Sequence, residues 1–136
     1  MRYKEGPIML GDNNVLSNIA VKDIEESKKF YGEVLGLKEM GDKGPMGVLY
    51  ASGPRDGRIF MYKAPTAGTG EATVCTWEVD DIKTVTDELG KHDVKFEHYE
   101  FPGATHDGPV HVMGDMKSAW FSDPSGNILG LSEGSM

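Results

Sequence analysis

Val21-Lys22-Asp23-Ile24 and Val79-Asp80-Asp81-Ile82 are two copies of one local instruction. Each closes a run of alternating apolar residues and opens a stretch with helical periodicity, ending at Gly36 in the first copy and Gly90 in the second. Asp23 and Asp81 stand 58 positions apart. A strand–helix unit recurring at such a period marks two copies of one supersecondary module. Each Asp sits where a helix N-cap belongs, because its carboxylate can accept the unsatisfied N–H groups of the first turn. Glu26, three residues after Asp23, completes a capping-box pattern. Phe30, Tyr31, Val34 and Leu35 then form one apolar stripe, and Gly36 suits the left-handed residue that ends a helix.

Outward from these anchors, residues 16–22 read as a strand, with Ile19 and Val21 on one face and Leu16, Asn18 and Ala20 on the other. Strands are expected at 37–42, 46–52 and 58–63, the last two joined by Gly53-Pro54-Arg55-Asp56-Gly57. Residues 64–71 have the composition of a linker. The second copy has a strand over 72–79 and a helix over 81–90, with Ile82, Val85 and Leu89 on one face. A strand at 94–101, a long loop at 102–115 rich in Gly, Pro and His, and strands at 117–122 and 127–132 complete it. Asp123-Pro124-Ser125-Gly126 is the turn between the last two. The expected fold is α+β: one domain of two βαβββ modules, forming a curved, cup-like mixed sheet with helices on its outer face. The first module spans 15–63 and the second 72–133, after an N-terminal arm over 1–14.

The 136 residues suffice for one core. A net charge of −8 argues against nucleic-acid or anionic-membrane partners, which need a basic face. Cys75 is the only cysteine, so no internal disulfide forms. No apolar run approaches the roughly 18–20 residues of a membrane span, and the N-terminus lacks an apolar signal segment. A cytoplasmic protein is expected.

Ile19-Ala20-Val21-Lys22-Asp23, Phe30-Tyr31-Gly32-Glu33-Val34-Leu35-Gly36-Leu37 and Phe121-Ser122-Asp123-Pro124-Ser125-Gly126-Asn127 together resemble the vicinal oxygen chelate superfamily. That group contains glyoxalase I, the bleomycin and fosfomycin resistance proteins and the extradiol dioxygenases. The resemblance implies a ligand inside the cup and, for a two-module chain, a homodimer. It also implies that metal-dependent members place His at the positions of Leu16 and Val74, and Glu at that of Gly130. None of these three side chains can coordinate a metal. No metal at the usual site, and no cofactor, is therefore expected.

Strand parity predicts what lines the cup. Leu16, Asn18 and Ala20, Val74, Thr76 and Glu78, Ser118 and Trp120, and Ile128, Gly130 and Ser132 should face away from the helices. Tyr50 with Val48, and either Met61 or Phe60 with Tyr62, should add to them from the first module's hairpin. The expected ligand-binding residues are Asn18, Tyr50, Met61, Thr76, Glu78, His111, Ser118 and Trp120. Glu78 is the candidate general base, since an apolar cup would raise its pKa. Trp77 and Cys75 point at the second helix, which makes Cys75 a buried, inert thiol. His92 and His98 are expected in solvent. His106 and His111 are expected on a loop at the rim, where Gly108-Pro109 forbids a helix between them. Two functions follow. One is metal-free binding of a small organic ligand. The alternative is a metal-dependent lyase, isomerase or dioxygenase with a non-standard site using His106, His111 or Glu78.

Overall fold

The computed structural model describes residues 9–134. Residues 1–8 of the expected arm lie outside the described residues, and 9–14 are exposed around a 3-10 turn at Leu10–Asp12. The first unit comprises β1 (Ser17–Val21), α1 (Ile24–Lys28), β2 (Lys38–Asp42), β3 (Val48–Ser52) and β4 (Gly57–Lys63). The second comprises β5 (Thr73–Glu78), α2 (Ile82–Gly90), β6 (Lys95–Glu97), β7 (Thr105–Asp107), β8 (Val110–Met113), β9 (Met116–Ser122) and β10 (Ile128–Glu133). Both caps form as the residue types require. Asp23 accepts the Glu26 N–H at 3.0 Å, and Asp81 accepts the Thr84 N–H at 3.2 Å and its hydroxyl at 2.9 Å.

The two sheets repeat one topology. The first runs β1-β4-β3-β2, and the second runs β5-β10-β9-β8-β7, with β6 also on β9. The first strand of each unit lies parallel to the last, β1 on β4 and β5 on β10. The β7–β8 hairpin is an insertion in the second unit, where a loop was expected over 102–115. Gly108 takes φ +60° in its turn. The expected strand over 94–101 shortens to β6.

One helix end differs from the spacing. After Lys28 the first helix widens into a π-turn over Lys29–Val34, with the Leu35 N–H reaching back to the Phe30 carbonyl. That turn aims Tyr31 into the core, and Gly36 then takes φ +75° as expected. The second helix ends at Gly90 as expected. Hydrogen bonds from the Lys91, His92 and Asp93 N–H groups carry the turn three residues further, and Asp93 takes the left-handed conformation at φ +58°.

The helix-facing sides of both sheets share one core. Ile19, Val21, Val48, Tyr50, Ile59 and Met61 from the first sheet meet Ala119, Phe121, Leu129 and Leu131 from the second, with Tyr31, Ile82 and Leu89 between. Residues 64–71 are pinned to this assembly. Ala67 is buried, and the Gly68 N–H donates to Asn127 Oδ1 at 3.2 Å.

One buried carboxylate joins the units. Asp123 accepts from the Tyr31 hydroxyl at 2.6 Å, the Ser125 N–H at 3.0 Å, the Asn127 N–H at 2.8 Å and the Asn127 amide at 2.8 Å. Burial, then the Asp123 charge and hydrogen bond, push the Tyr31 phenol far above its ordinary pKa. A hydrogen bond to a charged acceptor contributes about 1.5–3 kcal/mol. Tyr31→Phe should therefore lower stability by about 2 kcal/mol in urea unfolding. Asp123→Ala, which strands all four donors, should cost at least twice that.

Candidate functional site

The face of the second sheet turned away from the helices carries two rungs of side chains. Thr76, Gly130, Trp120 and Glu97 are successive register partners across β5, β10, β9 and β6. Glu78, Ser132, Ser118, His111 and His106 form the next rung, across β5, β10, β9, β8 and β7. Five of the expected site residues, Thr76, Glu78, His111, Ser118 and Trp120, therefore share one face. Asn18 is exposed on the corresponding face of the first sheet, beside Phe60 in register.

Tyr50 and Met61 are placed otherwise. Each is 1% exposed and packs in the helix-facing core. The register Ile19↔Met61 and Asn18↔Phe60 puts Phe60 and Tyr62 on the cup side instead, with their rings parallel at 6.3 Å. Cys75 and Trp77 do face the core, and Trp77 donates to Ser52 Oγ at 3.0 Å. Burial pushes the Cys75 thiol pKa up, which disfavours a thiolate.

A segment not anticipated as part of the site covers one end of this face. Residues 98–101 follow β6 and lie across β8 and β9. The Tyr99 N–H donates to His111 Nε2 at 2.9 Å, and His111 Nδ1 lies 3.0 Å from the Pro109 carbonyl. His111 is thereby held in one tautomer and fully buried, and burial lowers its pKa below that of a free imidazole. Tyr99, Phe101 and His111 surround Trp120 at centroid distances of 5.1, 5.8 and 5.0 Å. Trp120 itself is half-buried among these three rings. Tyr99 and Phe101 gave no signal in the sequence, because their contacts depend on where the loop closes.

Glu78 is exposed at the end of β5. It lines, with Thr76, Arg58 and Asp80, a crevice of about 730 Å³ between the β3–β4 connection and β5. That crevice has charged groups in its lining and does not enclose Glu78 in apolar surroundings. A second, apolar cavity of about 410 Å³ lies on the helix side, between Leu35, Leu37, Trp77, Val85 and Leu89. Neither cavity includes Trp120 or His111.

The positions at which the fold would hold a metal do not fit one. Leu16 and Val74 are exposed aliphatics, and Gly130 has no side chain. Val74 also lies at a register slip: Ile128 pairs with Thr73 and Leu129 with Cys75. The slip brings Thr73 Cγ2 to 3.3 Å, and Thr76 Oγ1 to 2.9 Å, from where a Gly130 Cβ would stand. Two threonines thus occupy the space beside Gly130. Among the described residues, the cluster of three or more His, Cys, Asp or Glu side chains that could hold an ion is His98, His106 and His111.

Two curved, open sheets that repeat one strand order define a glyoxalase-type domain. The profile of the Glyoxalase/Bleomycin resistance protein/Dioxygenase superfamily matches residues 13–131, and the chain belongs to that superfamily. Among solved structures it is similar to TnmS3, an antibiotic binding protein from Streptomyces sp. CB03234, with 26% identity and a TM-score of 0.70. That match covers 94% of this chain and all of the other (100%). A glyoxalase/bleomycin resistance protein from the same organism matches at 26% identity and a TM-score of 0.66, over 88% of this chain and 98% of that one. Lactoylglutathione lyase from Agrobacterium tumefaciens shares the fold, at 16% identity and a TM-score of 0.66, over 90% of this chain and 93% of that one. No helix among the described residues is long and apolar enough to cross a membrane.

His111→Ala would leave the Tyr99 N–H unpaired and open a void beside Trp120. The loss should be about 1–3 kcal/mol in urea unfolding. His92→Ala, at an exposed position after α2, should change stability by no more than about 0.5 kcal/mol.

Proposed function

We propose that this chain binds a small organic ligand with a flat aromatic portion, stacked on Trp120, without a metal at the superfamily's usual position. The observation that carries this reading is the cluster of Tyr99, Phe101 and His111 around half-exposed Trp120, which is the register partner of Gly130, while Leu16, Val74 and Gly130 hold no metal-ligating side chain. An aromatic face flanked by a few polar groups, here Thr76, Ser118 and Ser122, is the usual makeup of a small-molecule site. The likeness to an antibiotic binding protein supports the same reading. The charge of −8 favours cationic over anionic ligands at long range.

The test uses intrinsic fluorescence. The chain has two tryptophans, so Trp77→Phe leaves Trp120 as the reporter. A panel of aromatic and glycopeptide compounds should contain at least one that quenches it saturably. Trp120→Ala should weaken that compound by about 2 kcal/mol, roughly 30-fold, measured by calorimetry. Absence of quenching across the whole panel would count against Trp120 as a binding residue.

The ligand site is completed by a second copy of the chain in this reading. Asn18, Thr73, Val74, Thr76 and Glu78 are exposed in the single chain. Among the described residues β1 pairs only with β4 and β5 only with β10, so each has an edge without a partner among them, flanked by Leu16 at 38% and Val74 at 44% exposure. Unpaired edges beside exposed apolar residues are templates for association. Sedimentation should give twice the chain mass, and Val74→Glu should shift the equilibrium towards monomer. A wild-type monomer at micromolar concentration would refute the dimer.

A further inference from the structure

Three of the chain's four histidines converge, and the cup reading uses only one of them. His106 and His111 are cross-strand partners in the β7–β8 hairpin, with ring centroids 4.6 Å apart. His98, from the segment after β6, stacks on His106 at 4.3 Å. One nitrogen of each ring lies within 4.8 Å of those of the other two. Glu100 adds a carboxylate. Its Oε2 lies 2.5 Å from His98 Nε2 and 3.8 Å from His106 Nε2. The Tyr99 carbonyl is 3.0 Å from His106 Nε2. Two imidazoles, a carboxylate and a carbonyl therefore converge on one small region of the rim.

We propose that His98, His106 and Glu100 bind one divalent transition-metal ion, of the zinc or nickel type, with His111 as a positioning residue behind them. Imidazole and carboxylate are the donor set that such ions take. The site is separate from the positions the superfamily uses, which are Leu16, Val74 and Gly130 here. His111 already spends both ring nitrogens, one on the Pro109 carbonyl and one on the Tyr99 N–H. Its function is to hold Tyr99, the residue between His98 and Glu100, and so to keep both ligands aimed at His106. A net charge of −8 raises the local concentration of cations around the chain. Once bound, the ion clips residues 98–101 to β7 and fixes Tyr99 and Phe101 against Trp120.

The full-length protein, stripped with a chelator, is titrated with Zn(II) by calorimetry. Co(II) is then substituted and its visible ligand-field bands recorded. One saturable site per chain is expected, with Co(II) bands of a low-coordinate site. His98→Ala and His106→Ala should each weaken Zn(II) at least about tenfold. The double variant should lose the site and the Co(II) bands, and His92→Ala should match the wild type. Both substituted histidines are exposed, and circular dichroism establishes that the double variant is folded. Wild-type protein without saturable binding, or a folded double variant that keeps one site of unchanged affinity, would overturn the proposal.

Discussion

Everything in this domain is arranged around the Asp123 carboxylate. It sits 5% exposed in the turn between β9 and β10 and accepts four hydrogen bonds, one of them from Tyr31 of the other unit. A buried charge is tolerable only when it is this fully satisfied. The same turn reaches further. Ser125 Oγ accepts the Lys22 N–H at 2.8 Å, and the Asn127 amide donates to the Ala20 carbonyl at 2.7 Å. Asn127 Oδ1 also takes the Gly68 N–H. Gly68 must be glycine there, since a Cβ would stand 1.8 Å from the Ser125 carbonyl. The end of β1, the π-turn after α1 and the segment between the units are thus all fastened to one turn.

That fastening sets the relation between packing and chemistry. With the helix-facing sides of both sheets committed to one core, the opposite faces are left for solvent, ligand or a second chain. On the second sheet that face holds two ordered rungs and is capped at one end by residues 98–101. Trp120 stands where the cap stops. The polar groups nearby are hydroxyls, the Glu97 carboxylate and a buried imidazole. Positions 16, 74 and 130 offer no nucleophile and no metal-ligating side chain.

How much was legible in the sequence can be traced residue by residue. The capping aspartates, Ile19 and Val21 in the core, and Trp77 and Cys75 on the helix side followed from alternation counted from Asp23 and Asp81, and Trp120 on the other face from alternation within its own strand, just before Phe121-Ser122-Asp123-Pro124. Counting failed where no anchor set the register. The 53–57 hairpin connection leaves a one-residue ambiguity, which moves every side chain to the opposite face. Tyr50 and Met61 consequently belong to the core, and Phe60 and Tyr62 to the cup. The slip at Val74 was illegible for a related reason: a bulge depends on pairing with β10, some 55 residues away in the chain. His106 and His111 looked like loop residues because their pairing needs a hairpin too short to show a period.

The sequence by itself determined the α+β class, the doubled unit, both helix starts and the absence of metal-ligating side chains at positions 16, 74 and 130. Those properties are local: an Asp before a helical period, a two-residue alternation, or the identity of one side chain. Only the tertiary structure decided which aromatic residues surround Trp120, that residues 98–101 cover His111, and that three histidines and Glu100 meet. Each of these contacts joins segments whose approach depends on a loop's path, and loop paths are set by long-range packing rather than by neighbouring residues.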